Sequence, residues 1–171
     1  MRYAIALVLL GLCGLSRGAD DDRQLVVTAW QAMISRYESE LAAGKPVGGL
    51  LERAKLGIFA GLPNFPGPNG DLFLEPGMHG LLPRMKCIQK IDDNNYLVQY
   101  AGPMATQIFW LHGASIPGIV PGEYFMLPKK VLVGGMKTYA PSSGMPTSLR
   151  QLIIIDDPKA IIRAHLASRP H

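Results

Sequence analysis

Hydrophobic side chains recur every three or four residues in the region that follows residue 22, which is the spacing of one face of an α-helix. The repeating positions are Val26, Trp30, Met33, Tyr37 and Leu41. Asp22 can cap the start of this helix, and Gly44 with Pro46 can end it. The polar face mixes acidic and basic residues, so we expect the amphipathic helix to pack on its own domain and not on a membrane.

A weaker apolar pattern between residues 47 and 62 predicts a second, shorter helix, although the glycines at positions 48, 49, 57 and 61 disfavour it. Proline and glycine then crowd into residues 63–70, where regular structure must end. We therefore predict a helical arm with a Pro/Gly-rich linker over residues 20–70, and a β-rich body over residues 71–171.

Beyond residue 70 the pattern changes to short runs of β-branched and aromatic residues between turn formers. These runs span residues 84–91, 96–100, 106–111, 123–127, 131–139 and 149–155. The polar residues 92–95 are typical of a hairpin turn, and Gly134 with Gly135 predicts a bulge. Five or six strands over about 75 residues predict a mainly β (α+β) fold, a small OB-like or SH3-like β-barrel.

The last element is marked by Asp157 followed by Pro158, a capping residue and a proline suited to the first helical position. Apolar residues follow on one side, including Ile161, Ile162 and Leu166. The pattern predicts a short C-terminal helix that packs against the barrel.

Residues 1–19 combine the parts of a cleavable secretory signal peptide: a positive charge at Arg2, an apolar run over residues 4–12, and small residues before Asp20. The run is shorter than the roughly 20 residues that cross a bilayer. We predict export to the periplasm or the extracellular space, with no transmembrane anchor in the mature chain. Cys13 leaves a second interpretation open, the lipid-modified first residue of a lipoprotein. The other cysteine, Cys87, has apolar neighbours that predict a buried thiol.

The charge balance does not favour nucleic acid or an anionic membrane as the partner. The 171 residues include 17 basic and 13 acidic side chains, a net charge of +4. Removal of the predicted signal takes away Arg2 and Arg17 and leaves +2. The remaining basic residues are scattered among acidic ones, so no strong positive field is expected.

Catalytic and cofactor motifs are absent from the sequence. The four histidines lack the spacing of a zinc site, and the glycines at 134 and 135 lack the P-loop pattern, so we predict neither a metal nor a cofactor. A hydrolase triad could combine His112 and Asp92 with one of three serines. Those serines are Ser115, Ser142 and Ser143. None of them stands in a Gly-x-Ser-x-Gly elbow, so a small extracytoplasmic hydrolase is the alternative and a non-enzymatic protein the prediction.

A binding surface is the remaining interpretation, because aromatic rings stack on sugars or bases and lysines contact anions. The candidate residues are Trp110, Tyr124, Tyr139, Lys129, Lys130 and Lys137. Core packing is the competing interpretation for Trp110. The sequence predicts a binding or interaction module of the cell envelope, with a glycan, a peptide or another envelope protein as its partner.

Several short motifs between residues 77 and 156 carry a resemblance to a group of exported proteins. They include residues 85–91 with 96–98, Trp110-Leu111-His112-Gly113, Gly118-Ile119-Val120-Pro121-Gly122, Val133-Gly134-Gly135 and Thr138-Tyr139. About half of the chain thus resembles uncharacterised exported proteins of planctomycete bacteria. The resemblance implies a small barrel in an exported protein, and it transfers no catalytic residues.

Overall fold

Three helices and an eight-stranded mixed sheet form the part of the chain that the computed structural model describes, residues 16–62, 72–102, 106–113, 119–141 and 144–168. The helices are α1 (Ser16–Ala42), α2 (Gly48–Lys55) and α3 (Pro158–Ala167). The strands are β1 (Ala60–Gly61), β2 (Met78–Gly80), β3 (Met85–Lys90), β4 (Asn95–Ala101), β5 (Thr106–His112), β6 (Tyr124–Phe125), β7 (Val131–Tyr139) and β8 (Thr147–Ile154). The predicted linker and the residues before 16 lie outside these ranges.

The strands are ordered β1-β2-β7-β8-β5-β4-β3-β6. An antiparallel meander of β3, β4 and β5 is joined to the antiparallel pair of β7 and β8 by parallel pairing of β5 with β8. The α+β class is confirmed, but the predicted closed barrel of five or six strands is not. The outer edge of β3 is occupied by β6 and the outer edge of β7 by β2, so the edges that would have to meet are already paired.

The two faces of the sheet bury different clusters. On one face, Leu132 and Ile153 pack against α1, α2 and α3, with Val26, Trp30 and Ile162 buried among them. The other face carries a second core, made by side chains of β3, β4, β5, β7 and β8 and covered by leucines of the connecting segments. The prediction that the first helix packs on its own domain is therefore confirmed.

The start of α1 differs from the prediction. Asp22 does not cap the helix, because the helix extends back to Ser16. Asp22 therefore lies within α1, where its side chain reaches the sheet. The predicted second helix is also shorter than its apolar pattern, since Gly57 has a φ of 72°, a left-handed conformation that ends α2 before Ile58 and Phe59.

Local signals in the β region are largely confirmed. Asp92 accepts a hydrogen bond of 2.8 Å from the backbone N–H of Asn94 and so stabilises the turn between β3 and β4. The register of β7 shifts between Val133 and Met136, where the glycines predicted a bulge. Asp157 caps α3 by accepting a 3.1 Å hydrogen bond from the N–H of Ala160.

Cys87 is expected to resist thiol reagents in the folded protein. Its side chain is fully buried, and burial raises the pKa of the thiol, an effect that a hydrogen bond from the backbone of Gln89 partly offsets. Since the thiolate is the reactive form, labelling requires unfolding. An Ellman titration of protein that lacks residues 1–19 should give no fast reaction in buffer and one thiol, that of Cys87, in denaturant. Stoichiometric labelling of the native protein would contradict the buried position.

Candidate functional site

A polar cleft of about 550 Å³ lies where the start of α1 meets one end of the sheet. We call it the acidic cleft. It is lined by Asp21, Asp22, Asp92, Asp93, Asn94, Asn95, His112 and Gly113. Helix α1 supplies the first two residues, the β3–β4 turn and the start of β4 supply the next four, and the end of β5 supplies His112.

Strand register brings Asn95 and His112 together. The two residues are direct partners in the antiparallel pairing of β4 with β5. The next pair on the same face of the sheet is Leu97 with Trp110. The backbone N–H of Gly113 donates a 3.0 Å hydrogen bond to the carbonyl of Asn94, which ties the end of β5 to the turn. The floor of the cleft is thus fixed by the meander.

The Asn95 amide can have one orientation. Its Nδ2 donates to both carboxylate oxygens of Asp92, at 2.9 and 2.8 Å, and its Oδ1 accepts a 2.8 Å hydrogen bond from Trp110 Nε1. A carboxylate can only accept and an indole N–H can only donate, so the reverse orientation would lose these bonds. Asn95 therefore presents a carbonyl oxygen to His112.

This orientation fixes which groups the His112 ring faces. Its Nδ1 lies 2.8 Å from Asn95 Oδ1 and its Nε2 lies 2.9 Å from Asp22 Oδ1. Both neighbours are acceptors, so both ring nitrogens must carry a proton to make both hydrogen bonds. A ring that donates to both acceptors has no nitrogen left to act as a base.

Asp92 is the carboxylate whose pKa the surroundings change most clearly. Partial burial acts to raise it, but hydrogen bonds from Asn94 and Asn95, and to a smaller extent the charge of His112, hold the pKa below its usual value of 3.8. The charged form is therefore favoured in the folded protein.

We expect the Asp92 carboxyl to titrate below pH 3.8, its ordinary value. The stabilisation from its hydrogen bonds is present above the unfolded pKa and is lost as the pH falls through the lower folded pKa. Carbon NMR of the aspartate side chains would measure the midpoint. Asn95→Ala removes two of the hydrogen bonds to Asp92 and should move its titration midpoint back towards 3.8. A midpoint of 3.8 or above for Asp92 in the unsubstituted protein would contradict this role of the hydrogen bonds.

A second feature, which we call the aromatic patch, consists of Trp110, Lys137 and Tyr139. The Lys137 ammonium lies 4.3 Å from the centre of the Trp110 ring, and the two aromatic rings are 6.3 Å apart. The Tyr139 hydroxyl donates a 3.0 Å hydrogen bond to Gln89 Oε1. Trp110 is only 7% exposed, so it forms the base of the patch, and its N–H links the patch to the acidic cleft through Asn95.

Three of the six predicted binding residues therefore come together, and the other three lie elsewhere. Tyr124 is on the edge strand β6, with Arg84 stacked on its ring at 4.7 Å. Lys129 pairs with Asp156 at 3.3 Å. Lys130 lies near His79, where burial first and the charge of the lysine second lower the pKa of the histidine.

Sequence reasoning missed Asn95 and gave His112 a different role. Strands β4 and β5 follow each other in the chain, so an antiparallel pairing of the two could have placed Asn95 opposite His112. No sequence signal could have added Asp22, which is 90 residues from His112. Ser115, Ser142 and Ser143 of the alternative triad lie outside the described residues.

Metal and membrane chemistry receive no support from the described ranges. Within them, no three His, Cys, Asp or Glu side chains are grouped so that they could hold a metal ion. Likewise, none of the helices described is both long and apolar enough to cross a membrane.

Comparison of the chain with protein-family models, with curated proteins and with solved structures found no match. The resemblance to exported planctomycete proteins therefore remains a prediction from the motifs of residues 77–156.

Proposed function

We propose that the protein is exported and binds a cell-envelope glycan in the acidic cleft and on the aromatic patch, without catalysing a reaction. The observation that carries this proposal is the position of Asn95. It holds Trp110 and His112 by hydrogen bonds of 2.8 Å each, so the cleft is tied to the base of the patch and both are pre-organised. Such rigidity reduces the entropy lost on binding.

The chemistry of this surface suits a polyhydroxylated ligand. Asp21, Asp93 and Asn94 are exposed in the cleft and can accept hydrogen bonds from sugar hydroxyls. Tyr139, half-buried beside them on the patch, offers an aromatic face with a polar tip. Aromatic and carboxylate groups placed together provide both stacking and directional hydrogen bonds.

The charge of the cleft narrows the class of ligand. Lys90 offsets Asp93 at 2.7 Å, which leaves Asp21 and Asp92 as excess negative charge, and the Asp22 carboxylate contacts His112 at 2.9 Å. Phosphate groups would be repelled, so nucleic acid is disfavoured. A neutral glycan or an amino sugar fits this field.

Strand order gives further support. We propose that β3, β4 and β5 act as the first three strands of an OB-like arrangement, although the described sheet is open. Ligands of OB folds, oligosaccharides among them, bind across the second and third strands and the loop between the first two. Here these are β4 and β5 with the turn that carries Asp92.

The hydrolase alternative was predicted with Asp92 as the acid, but the carboxylate that contacts His112 is that of Asp22. A histidine that acts as the general base of a triad donates a hydrogen bond to the acid from one ring nitrogen and accepts the proton of the nucleophile at the other. In His112 the second nitrogen is already bonded to Asn95, which argues against that chemistry. Turnover that is lost in both His112→Ala and Ser115→Ala, in protein that still folds, would reverse the order of the two proposals.

Binding can be tested by the melting temperature of the purified protein with envelope polysaccharide fragments, peptides and oligonucleotides. A glycan at about 100 times its dissociation constant should stabilise the protein by roughly 2.7 kcal/mol. Tyr139→Ala and Asp93→Asn should each weaken glycan binding. Tyr124→Ala is the matched control, since Tyr124 is 50% exposed and lies on the distant edge strand β6. Equal losses in Tyr124→Ala and Tyr139→Ala, or no shift with any glycan, would refute the proposed site.

Export has its own test. Mass spectrometry of the protein recovered outside the cytoplasm should find Asp20 as the first residue. A lipid-modified N-terminus at Cys13 would show that the protein is a lipoprotein and not a secreted protein. A chain that still begins at Met1 and is found in the cytoplasmic fraction would contradict export.

A further inference from the structure

A second groove, of about 450 Å³, lies on the face of the sheet that does not contact the helices. We call it the Arg150 groove. It is lined by the first half of β5, the first half of β8, Met136 of β7 and the segment of residues 72–75. Arg150 is opposite Phe109 in the parallel pairing and opposite Met136 in the antiparallel pairing, so all three side chains share this face.

One side of the groove is held in place by polar contacts. The Gln107 side chain accepts a 2.6 Å hydrogen bond from the backbone N–H of Leu72 and donates one of 3.3 Å to its carbonyl. Glu75, at the other end of the segment, forms an ion pair with Arg36 of α1. The groove is therefore formed before any ligand arrives, which favours binding.

The groove exposes more apolar surface than folding requires. Phe73 is 62% exposed and Met136 57%. These two side chains belong to different segments and line the same concavity. Contiguous exposed apolar surface in a groove is typical of a ligand site.

Arg150 adds a positive charge among these apolar groups. Its one described hydrogen bond goes from Nη1 to the carbonyl of Gly134 at 3.5 Å, and it forms no ion pair with an acidic side chain in the described part of the chain. Burial lowers its pKa. The nearby carboxylate of Glu75 is already paired with Arg36. A guanidinium has five donors in a fork that fits a carboxylate, so Arg150 has unused binding capacity.

We propose that the Arg150 groove binds a long-chain fatty acid, with its carboxylate on Arg150 and its alkyl chain along Phe73 and Met136. A single cation surrounded by apolar side chains matches a single carboxylate on an apolar chain. A peptide could not add as a strand to β5 or β8 there, because β5 is paired with β4 and β8, and β8 with β5 and β7. This site is separate from the acidic cleft and does not depend on the proposed glycan function.

Isothermal titration of the purified protein with dodecanoate, below its micelle concentration, tests the proposal. We expect saturable binding, and Arg150→Gln should weaken it about 10- to 100-fold, the range for a lost hydrogen bond to a charged group. Arg163→Gln is the matched control, because Arg163 is an exposed arginine on α3, which packs on the other face. Circular dichroism would establish that both variants fold.

Two further probes separate the charge from the chain. Decanoate should bind up to about fourfold more weakly for each methylene it lacks, and dodecylamine should not compete. Met136→Ser, on the exposed side of the groove, tests the chain contact if Arg150→Gln proves unstable. Binding of dodecanoate that is unchanged in Arg150→Gln or matched by dodecylamine, no binding at all, or preference for an apolar peptide with a free C-terminus would overturn the proposal.

Discussion

Replacing Trp30 with alanine is expected to lower the free energy of unfolding by about 3–5 kcal/mol, the usual cost of removing a buried tryptophan. Trp30 is 4% exposed, and its Nε1 donates a 2.7 Å hydrogen bond to the carbonyl of Ala54 in α2. Its ring also meets the His165 ring of α3 edge-on, with centres 6.1 Å apart. One side chain therefore joins all three helices over the sheet, and alanine would leave a cavity and remove a hydrogen bond to the Ala54 carbonyl, which also accepts one of 2.8 Å from the N–H of Gly57.

Urea unfolding followed by circular dichroism would measure this loss. Leu41→Ala on the same helix is the control, because Leu41 is 45% exposed and its truncation should cost far less. Trp30→Phe keeps most of the ring and removes the N–H, so it should fall between the two. If Trp30→Ala costs no more than Leu41→Ala, α1 does not depend on this contact.

The second large effect is expected at Gly113→Ala, with a loss of about 2–5 kcal/mol from two sources, backbone strain and overpacking. Gly113 has a φ of 149°, and a Cβ atom there would lie 2.6 Å from Cβ of Ile154. Cβ of Ile154 cannot rotate away, so the backbone at the end of β5 would have to move.

Gly122→Ala separates the two sources. Gly122 has a φ of 92°, but a Cβ atom there would meet nothing within 4 Å, so this variant should show the strain alone, about 1–2 kcal/mol. Thermal or urea unfolding of both variants gives the comparison. Equal losses would mean that the contact with Ile154 is unimportant.

These two variants also bear on the acidic cleft. Trp30 positions the helix that carries Asp22, and Gly113 follows His112 directly and is itself part of the cleft lining. Loss of glycan binding in either variant would therefore accompany a loss of stability. Asp93→Asn is the cleaner test of function, because the Asp93 side chain is 87% exposed and its charge is paired only with Lys90 in the described structure.

Much of the local structure could be predicted from the sequence, because it depends on contacts between residues close in the chain. The stripe that includes Val26 and Trp30 predicted α1, since hydrophobic periodicity states which side of a helix is buried. The cap at Asp157 and the turn at Asp92 rely on hydrogen bonds that span two or three residues.

The sequence could not predict that the sheet stays open, because closure depends on which strand edges pair with each other. Strands as short as β2 and β6 carry almost no periodic signal, yet they occupy the outer edges of β7 and β3. The same limit applies to the Arg150 groove. Alternation gives the face of Arg150, but only the parallel pairing of β5 with β8 sets it opposite Phe109.

The sequence by itself determined the α+β class, the apolar face of α1, the β3–β4 hairpin, the capped C-terminal helix and the buried position expected for Cys87. Each of these follows from local hydrogen bonding or from the periodicity of hydrophobic residues. Only the tertiary structure decided that the sheet is open, that His112 contacts both Asn95 and Asp22, and that Asp22 forms part of the site. Those features require atoms up to 90 residues apart to meet at hydrogen-bonding distance, and strand order, register and helix packing set such distances together.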